Sequence, residues 1–258
     1  IAYDAPMPGG GYRYYRDETL GASYEHAMDE IFDIYSACLP RVTAWADPVA
    51  VASAFADEDF ACVLLSGAEG WSYVLRAPDT VAEAGLDLPG LLGEGDVNAE
   101  GPPFQGGAVG LASYELSAQL EPTAPQTRGA WPDLSLIRYP ALLAFHQASG
   151  RAFAIGRGAD PRRAGEQADV ALSWLDLPRR APQPGPLGAE VTLATGDACH
   201  AAAVARTVRR IADGEIFQAN LARPWRGRLR AESTPFDLFA RLARDSAAGF
   251  AAYLNLPG

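Results

Sequence analysis

The 258 residues are 48% hydrophobic, 10% aromatic and 21% charged, which suits a globular chain of one large domain or two small ones whose core needs no disulfides. A formal net charge of −11 argues against a sequence-independent grip on nucleic-acid phosphates or anionic lipid. All 21 basic residues are arginine, so this sequence offers no Walker-type phosphate lysine, no Schiff-base lysine and no lysine general base.

Residues 1–16 are rich in Gly, Pro and Tyr and show no periodicity. From Ala22 to Leu39 the apolar set Tyr24, Met28, Ile31, Tyr35 and Cys38 recurs at steps of 3 and 4, which predicts a helix with one buried stripe. Asp47-Pro48 reads as an N-cap followed by first-turn proline, opening a helix that runs through Phe55. Phe60–Ser66 is a short apolar run and predicts a buried strand, with Trp71–Arg76 as its hairpin partner across Gly67–Gly70. Residues 84–103 are loop-like, and Pro103–Glu121 is a glycine-rich turn leading into an element with aromatic and acidic residues. Leu142–Phe145 and Ala152–Ile155 predict two strands joined around Ser149-Gly150. Pro161–Leu175 reads as a surface helix.

Arg179–Gly188 (RRAPQPGPLG) is a proline-rich connector and the best internal boundary. Beyond it, Asp197 is expected to cap a helix with the stripe Ala201, Val204, Val208 and Ile211, ended by Gly214. Glu215–Leu221 alternates, with Phe217, Ala219 and Leu221 on one face and Ile216, Gln218 and Asn220 on the other, and predicts a strand. Thr234-Pro235 opens another helix, with Asp237 at its third position. Phe250–Leu256 predicts a closing strand. Strands and helices mix without regular alternation, so the expected class is α+β. The sequence starts at Ile1 and stops just after an apolar run, so it is expected to be a piece of a longer chain.

Candidate chemistry is sparse. Gly106, Gly107 and Gly110 lack the spacing of a nucleotide-binding loop and read as a bend with close backbone packing. Cys38, Cys62 and Cys199 are too widely spaced for a zinc knuckle or a disulfide framework, which fits a reducing, cytoplasmic setting. His26, His146 and His200 read as structural or surface residues, even with Cys199 beside His200. Asp29/Glu30 and Asp57/Glu58 read as solvated faces. Gln218 and Asn220 stand apart: two neutral amides on one face either pair with sheet backbone or line a ligand cleft.

Several segments together resemble the chorismate-utilising enzymes of the anthranilate synthase component I family. They are LLSG at Leu64–Gly67, GWSYVLRAP at Gly70–Pro78, PFQGGAVGLASYEL at Pro103–Leu116, Trp131–Gly156, GEIFQANLARPW at Gly214–Trp225, and Phe250–Leu256. The resemblance covers roughly residues 42–258 in order and approximate spacing. Water-adding relatives carry a lysine general base where this chain has Gln218, so the amide resembles the ammonia-using members. Gln218-Ala219-Asn220-Leu221 is similar to aminodeoxychorismate synthase component I rather than to the anthranilate branch.

The resemblance implies an anthranilate-synthase-like fold of layered sheets with surrounding helices. Its regions would be an unassigned leader at 1–40, an N-terminal component-I-like region at 41–178, a linker at 179–190, and the start of the chorismate-binding domain at 191–258. It implies a parent enzyme that converts chorismate and ammonia to 4-amino-4-deoxychorismate for p-aminobenzoate and folate, with ammonia supplied by a glutamine amidotransferase subunit or fused domain. Gln218 would be a catalytic-cleft residue, with Asn220 in the substrate cleft. Magnesium would polarise the leaving hydroxyl and hold the substrate carboxylate, through ligands outside this sequence. A tryptophan pocket maps to Ser66, Gly70, Trp71, Ser72, Gly249, Phe250 and Ala251. The chain departs from the family at Ala247–Phe250, where an Asn-Pro-x-Pro-aromatic pattern is usual. Two other readings stand beside this one: anthranilate synthase component I, and a non-catalytic module that senses tryptophan.

Overall fold

The computed structural model describes residues 37–67, 69–82, 97–120, 131–246 and 248–257. They fall into two compact units, one of Ile1–Arg179 with Gly249–Gly258 and one of Arg180–Ala248.

The first unit contains β1 (Ala37–Thr43), α1 (Pro48–Ala52), β2 (Cys62–Ser66), β3 (Trp71–Leu75), β4 (Thr80–Ala82) and β5 (Gly107–Ala112). It continues with α2 (Ser117–Leu120), β6 (Leu134–Tyr139), β7 (Ala141–His146), β8 (Arg151–Gly158) and α3 (Pro161–Ser173). The second unit contains β9 (Gly188–Leu193), α4 (Asp197–Ala212), β10 (Trp225–Leu229) and α5 (Pro235–Asp245), after which β11 (Phe250–Leu254) returns to the first.

The fold is α+β, and every strand among the described residues pairs antiparallel. A six-stranded sheet runs β1-β8-β7-β3-β2-β11, and a three-stranded sheet runs β4-β6-β5. One face of the larger sheet packs Tyr73, Leu142, Ala144, Phe153 and Ile155 against Ile137 and Tyr139 of the smaller. The other face carries α3, whose buried side is made of Ala164, Gly165, Ala168 and Ala171. These small residues let the helix sit directly on β8: a β-carbon on Gly156 would lie 2.0 Å from the Ala164 carbonyl oxygen. Asp160 caps α3 through its carboxylate, which accepts from the Arg163 N–H at 2.8 Å, with proline following.

The α1 cap forms as expected, with Asp47 Oδ1 accepting from the Val49 N–H at 3.0 Å. The hairpin of β2 and β3 also forms, pairing Leu64 with Tyr73 and Cys62 with Leu75. The expected helix over 22–39 lies outside the described residues up to residue 36. Its final residues, Cys38 among them, instead belong to β1, which pairs along its whole length with β8. The Gly-rich stretch packs tightly: a β-carbon on Gly110 would meet the Ser135 carbonyl oxygen at 1.9 Å, and one on Gly106, where φ is +129°, would meet Arg157 at 2.7 Å.

In the second unit the proline-rich segment is fastened down. Arg241 donates to the carbonyls of Gln183 at 2.8 Å and Gly185 at 2.5 Å. Arg180 donates to Thr234 Oγ1 at 3.0 Å and stacks over Phe236. Thr234 and Asp237 form a full capping box at the start of α5, as the Thr-Pro-Phe-Asp spelling predicts.

Three expectations need correcting here. Gly196, not Asp197, is the N-cap of α4; Asp197 lies in its first turn and pairs with Arg223. The stripe of α4 is not buried, since the helix has no buried residue and Val208 is 59% exposed. Nor do residues 215–221 form a strand: they run as irregular chain between α4 and β10, and Phe217 is 95% exposed. Alternation favours a strand only where a neighbour completes the ladder, and β9 pairs with Trp225–Leu229 instead.

Candidate functional site

The residues expected at a small-molecule pocket converge on one end of the six-stranded sheet. In the β2–β11 ladder Ser66 stands opposite Phe250, Leu65 opposite Ala251 and Leu64 opposite Ala252. Leu64 also stands opposite Tyr73 on β3. Because directly paired residues share a face and alternate residues return to it, Leu64, Ser66, Trp71, Tyr73, Phe250 and Ala252 all project on one side. They and the neighbouring Leu65 and Ala251 line a cavity of about 460 Å³, within the size range of small-molecule sites.

The walls are mostly apolar and aromatic, and Ser66 supplies a hydroxyl at the rim. The Tyr73 phenol is engaged elsewhere: its oxygen accepts from the Phe104 N–H at 3.2 Å, and burial holds its pKa above the usual value. Phe250 is 83% exposed, so one wall of the cavity is an open aromatic face. Trp71 is braced by rings on its far side, Phe153 at 5.8 Å and His146 at 5.1 Å between centroids.

Four of the seven expected pocket residues, Ser66, Trp71, Phe250 and Ala251, line the cavity. Gly70 shapes it from behind, since a β-carbon there would stand 2.3 Å from Ser66 Cβ. Gly249 holds the adjoining turn, its carbonyl accepting from the Gly67 N–H at 2.8 Å. Ser72 is different. It lies between Trp71 and Tyr73 on the opposite face, is buried, and bonds the backbone N–H of Ser66 at 3.2 Å. Its contribution is to hold Ser66 beyond the point where the regular β2–β3 pairing stops at Leu64. Leu64, Tyr73 and Ala252 were not among the expected residues, although counting by twos back from Ser66 and on from Trp71 reaches the first two.

Gln218 and Asn220 lie in the second unit, both exposed, on the irregular segment after α4. Cys199 is exposed on α4 with His200 next to it. Glu58, read as a solvated acid, is held by a two-pronged ion pair from Arg76 at 2.6 Å for each prong. Among the described residues no group of three or more His, Cys, Asp or Glu could hold a metal ion. Nor is any described helix long and apolar enough to cross a membrane.

Comparison with known proteins bears on the family and the fold. The family described as chorismate binding enzyme matches residues 40–258. Anthranilate synthase component 1 of Haloarcula marismortui is 30% identical over 223 residues, covering 74% of this chain and 44% of that protein. Aminodeoxychorismate synthase component 1 of Streptomyces lividans is 29% identical over 204 residues, covering 74% and 41%. The chain thus spans less than half the length of these relatives. In fold it is similar to the crystal structure of anthranilate synthase component I from Streptococcus pneumoniae, with a TM-score of 0.54 at 16% identity, over 68% of this chain and 45% of that one.

Proposed function

Since the chain belongs to the chorismate binding enzyme family, we propose that it is the N-terminal portion of an aminodeoxychorismate synthase component I. The parent enzyme converts chorismate and ammonia to 4-amino-4-deoxychorismate, the precursor of p-aminobenzoate, and takes its ammonia from a glutamine amidotransferase partner. The observation that carries the choice of branch is the sequence Gln218-Ala219-Asn220-Leu221. That spelling is similar to the aminodeoxychorismate branch rather than the anthranilate branch. Separately, the neutral amide of Gln218 can orient a nucleophile by hydrogen bonding but cannot deprotonate water as an amine base can, which favours ammonia over water as the group added in either branch.

In this reading Gln218 and Asn220 belong to the substrate cleft of the parent enzyme, and their exposure on an unladdered segment leaves them open to further walls. Magnesium would polarise the departing hydroxyl. The described residues offer it no ligand cluster. The cavity between β2, β3 and β11 serves separately as a tryptophan site. It has aromatic walls for an indole and a serine hydroxyl for the polar end of an amino acid.

Product analysis on the full-length enzyme with chorismate, ammonium and magnesium tests the proposal. Formation of 4-amino-4-deoxychorismate without pyruvate is expected. Anthranilate with an equivalent of pyruvate would assign the chain to the sister enzyme. The 258-residue chain by itself is expected to give neither product.

A further inference from the structure

Two elements of the second unit are amphipathic, and the apolar side of each stays open. In α4, Val204, Val208 and Ile211 recur at steps of 4 and 3 and are all exposed, and none of the 16 helical residues is buried. Arg206 and Arg209 fall on the other side of the helix. In the two-stranded sheet Trp225 pairs with Leu193 and Gly227 with Val191, while Arg226 pairs with Thr192 and Arg228 with Glu190. Paired residues share a face and neighbours alternate. One face of this ribbon is therefore Trp225, Leu193 and Val191, and the other is polar and charged. On the apolar face Trp225 is 61% exposed and Val191 64%.

Neither element is built to stand in water by itself. A helical stripe of this kind marks the side that packs on another element, and a lone helix of 16 residues is only marginally stable without such packing. Two strands with no third strand or helix against their apolar face are marginal in the same way. In the first unit α3 shows the completed arrangement, with Ala164, Ala168 and Ala171 all buried.

We propose that the α4 stripe and the apolar face of the β9–β10 ribbon are docking surfaces for the part of the parent chain that follows Gly258. The proposal rests on the reading of this chain as an N-terminal portion. It spans 44% and 41% of the two relatives, which leaves more than half of a comparable chain to supply the cover. A segment of the same polypeptide is favoured over a second copy, because covalent linkage holds it near these faces at an effective concentration on the order of millimolar. Gln218 and Asn220 lie on the irregular segment that joins α4 to β10. Docking on the elements at both ends therefore also fixes these two amides, so that the cleft is assembled only when the second unit is completed.

Hydrogen exchange, read residue by residue on the 258-residue chain and on the full-length parent, tests this. In the 258-residue chain the α4 amides should exchange close to the unfolded rate, and in the parent about a hundredfold more slowly or better. Amides of β7, in the core of the first unit, should be protected in both, which shows that the shorter chain is folded. Val208→Asp should leave the urea midpoint of the 258-residue chain unchanged, as a substitution on an open surface does, and should abolish the α4 protection in the parent. Arg206→Ala, on the opposite side of the helix, should alter neither. Fast exchange of α4 in both chains, or undiminished protection in the Val208→Asp parent, would overturn the proposal. Protection already present in the 258-residue chain would overturn it as well. If that protection rises with protein concentration the cover is a second copy, and if it does not the cover is a segment of the chain itself. The branch is judged separately by product: a parent that makes anthranilate with α4 protected would reject the aminodeoxychorismate reading and leave the docking surfaces standing. A parent that makes 4-amino-4-deoxychorismate with α4 unprotected would do the reverse.

Discussion

A β-carbon on Gly70 would stand 2.3 Å from Cβ of Ser66 and 2.8 Å from its Oγ. The serine that rims the cavity therefore owes its position to the absence of a side chain four residues later. Gly70→Ala should push Ser66 out of place and destabilise the first unit by about 1–3 kcal/mol, the usual range for overpacking. Gly249, on the next strand's approach, has nothing within 4 Å of its virtual β-carbon, so Gly249→Ala should change stability little. Urea-unfolding midpoints of the two variants make the comparison.

Phe60 adopts φ of +62°, a left-handed conformation that costs a non-glycine residue on the order of 1–3 kcal/mol. Its backbone is held at both ends. The N–H donates to the Asn255 carbonyl at 2.6 Å, and its own carbonyl accepts from Tyr139 Oη at 2.6 Å. Burial also pushes the Tyr139 phenol well above its ordinary pKa, so it remains a donor across the ordinary pH range. Tyr139→Phe should cost about 1–3 kcal/mol, because it leaves a carbonyl without its partner. Hydrogen exchange at Asn255 and Ala61, which share the same clamp, should quicken with it.

Cys62 lies buried in β2, and burial pushes its thiol up to about 12 from an ordinary value of 9.0. The folded state therefore binds this proton more tightly than the unfolded chain does. The sign is that its contribution to stability is complete below about 9 and is lost as the pH rises through about 12. Thiol labelling of the native chain near neutral pH should modify the exposed Cys199 and spare Cys62. A denaturant should be needed to expose Cys62 to the reagent.

Thr234 accepts from the Asp237 N–H while Asp237 Oδ2 accepts from the Thr234 N–H at 2.7 Å. Arg180 binds both side chains of the box. Thr234→Ala should lose about 1–2 kcal/mol and loosen α5 together with the proline-rich segment tied to it. Protease nicking between residues 180 and 187 should rise in the variant.

The features legible in the sequence were those whose causes are local. The caps at Asp47 and Thr234 are spelled within four residues, and the β2–β3 hairpin within about fifteen. Strands β4, β6 and β10 went unnoticed because their sheets are completed by distant partners: β6, for example, takes β4 on one side and β5 on the other. Glu215–Leu221 failed in the opposite sense, since alternation states what a strand would bury but supplies no neighbour. At the cavity, resemblance located Ser66, Trp71, Phe250 and Ala251, yet it also included Ser72. Strand parity alone separates Ser72 from Trp71. The bracing of Trp71 by His146 depends on the register of β3 against β7, which no local pattern in either strand encodes.

The most direct test of the cavity's assignment is calorimetric titration of the 258-residue chain with L-tryptophan, comparing the wild type with Ser66→Ala. Ser66 and Phe250 face each other across the β2–β11 ladder at the rim, so a single saturable site is expected, weakened about tenfold when the serine's hydrogen bond to a charged ligand group is removed. No binding heat in the wild type, or equal affinity in Ser66→Ala, would contradict the assignment.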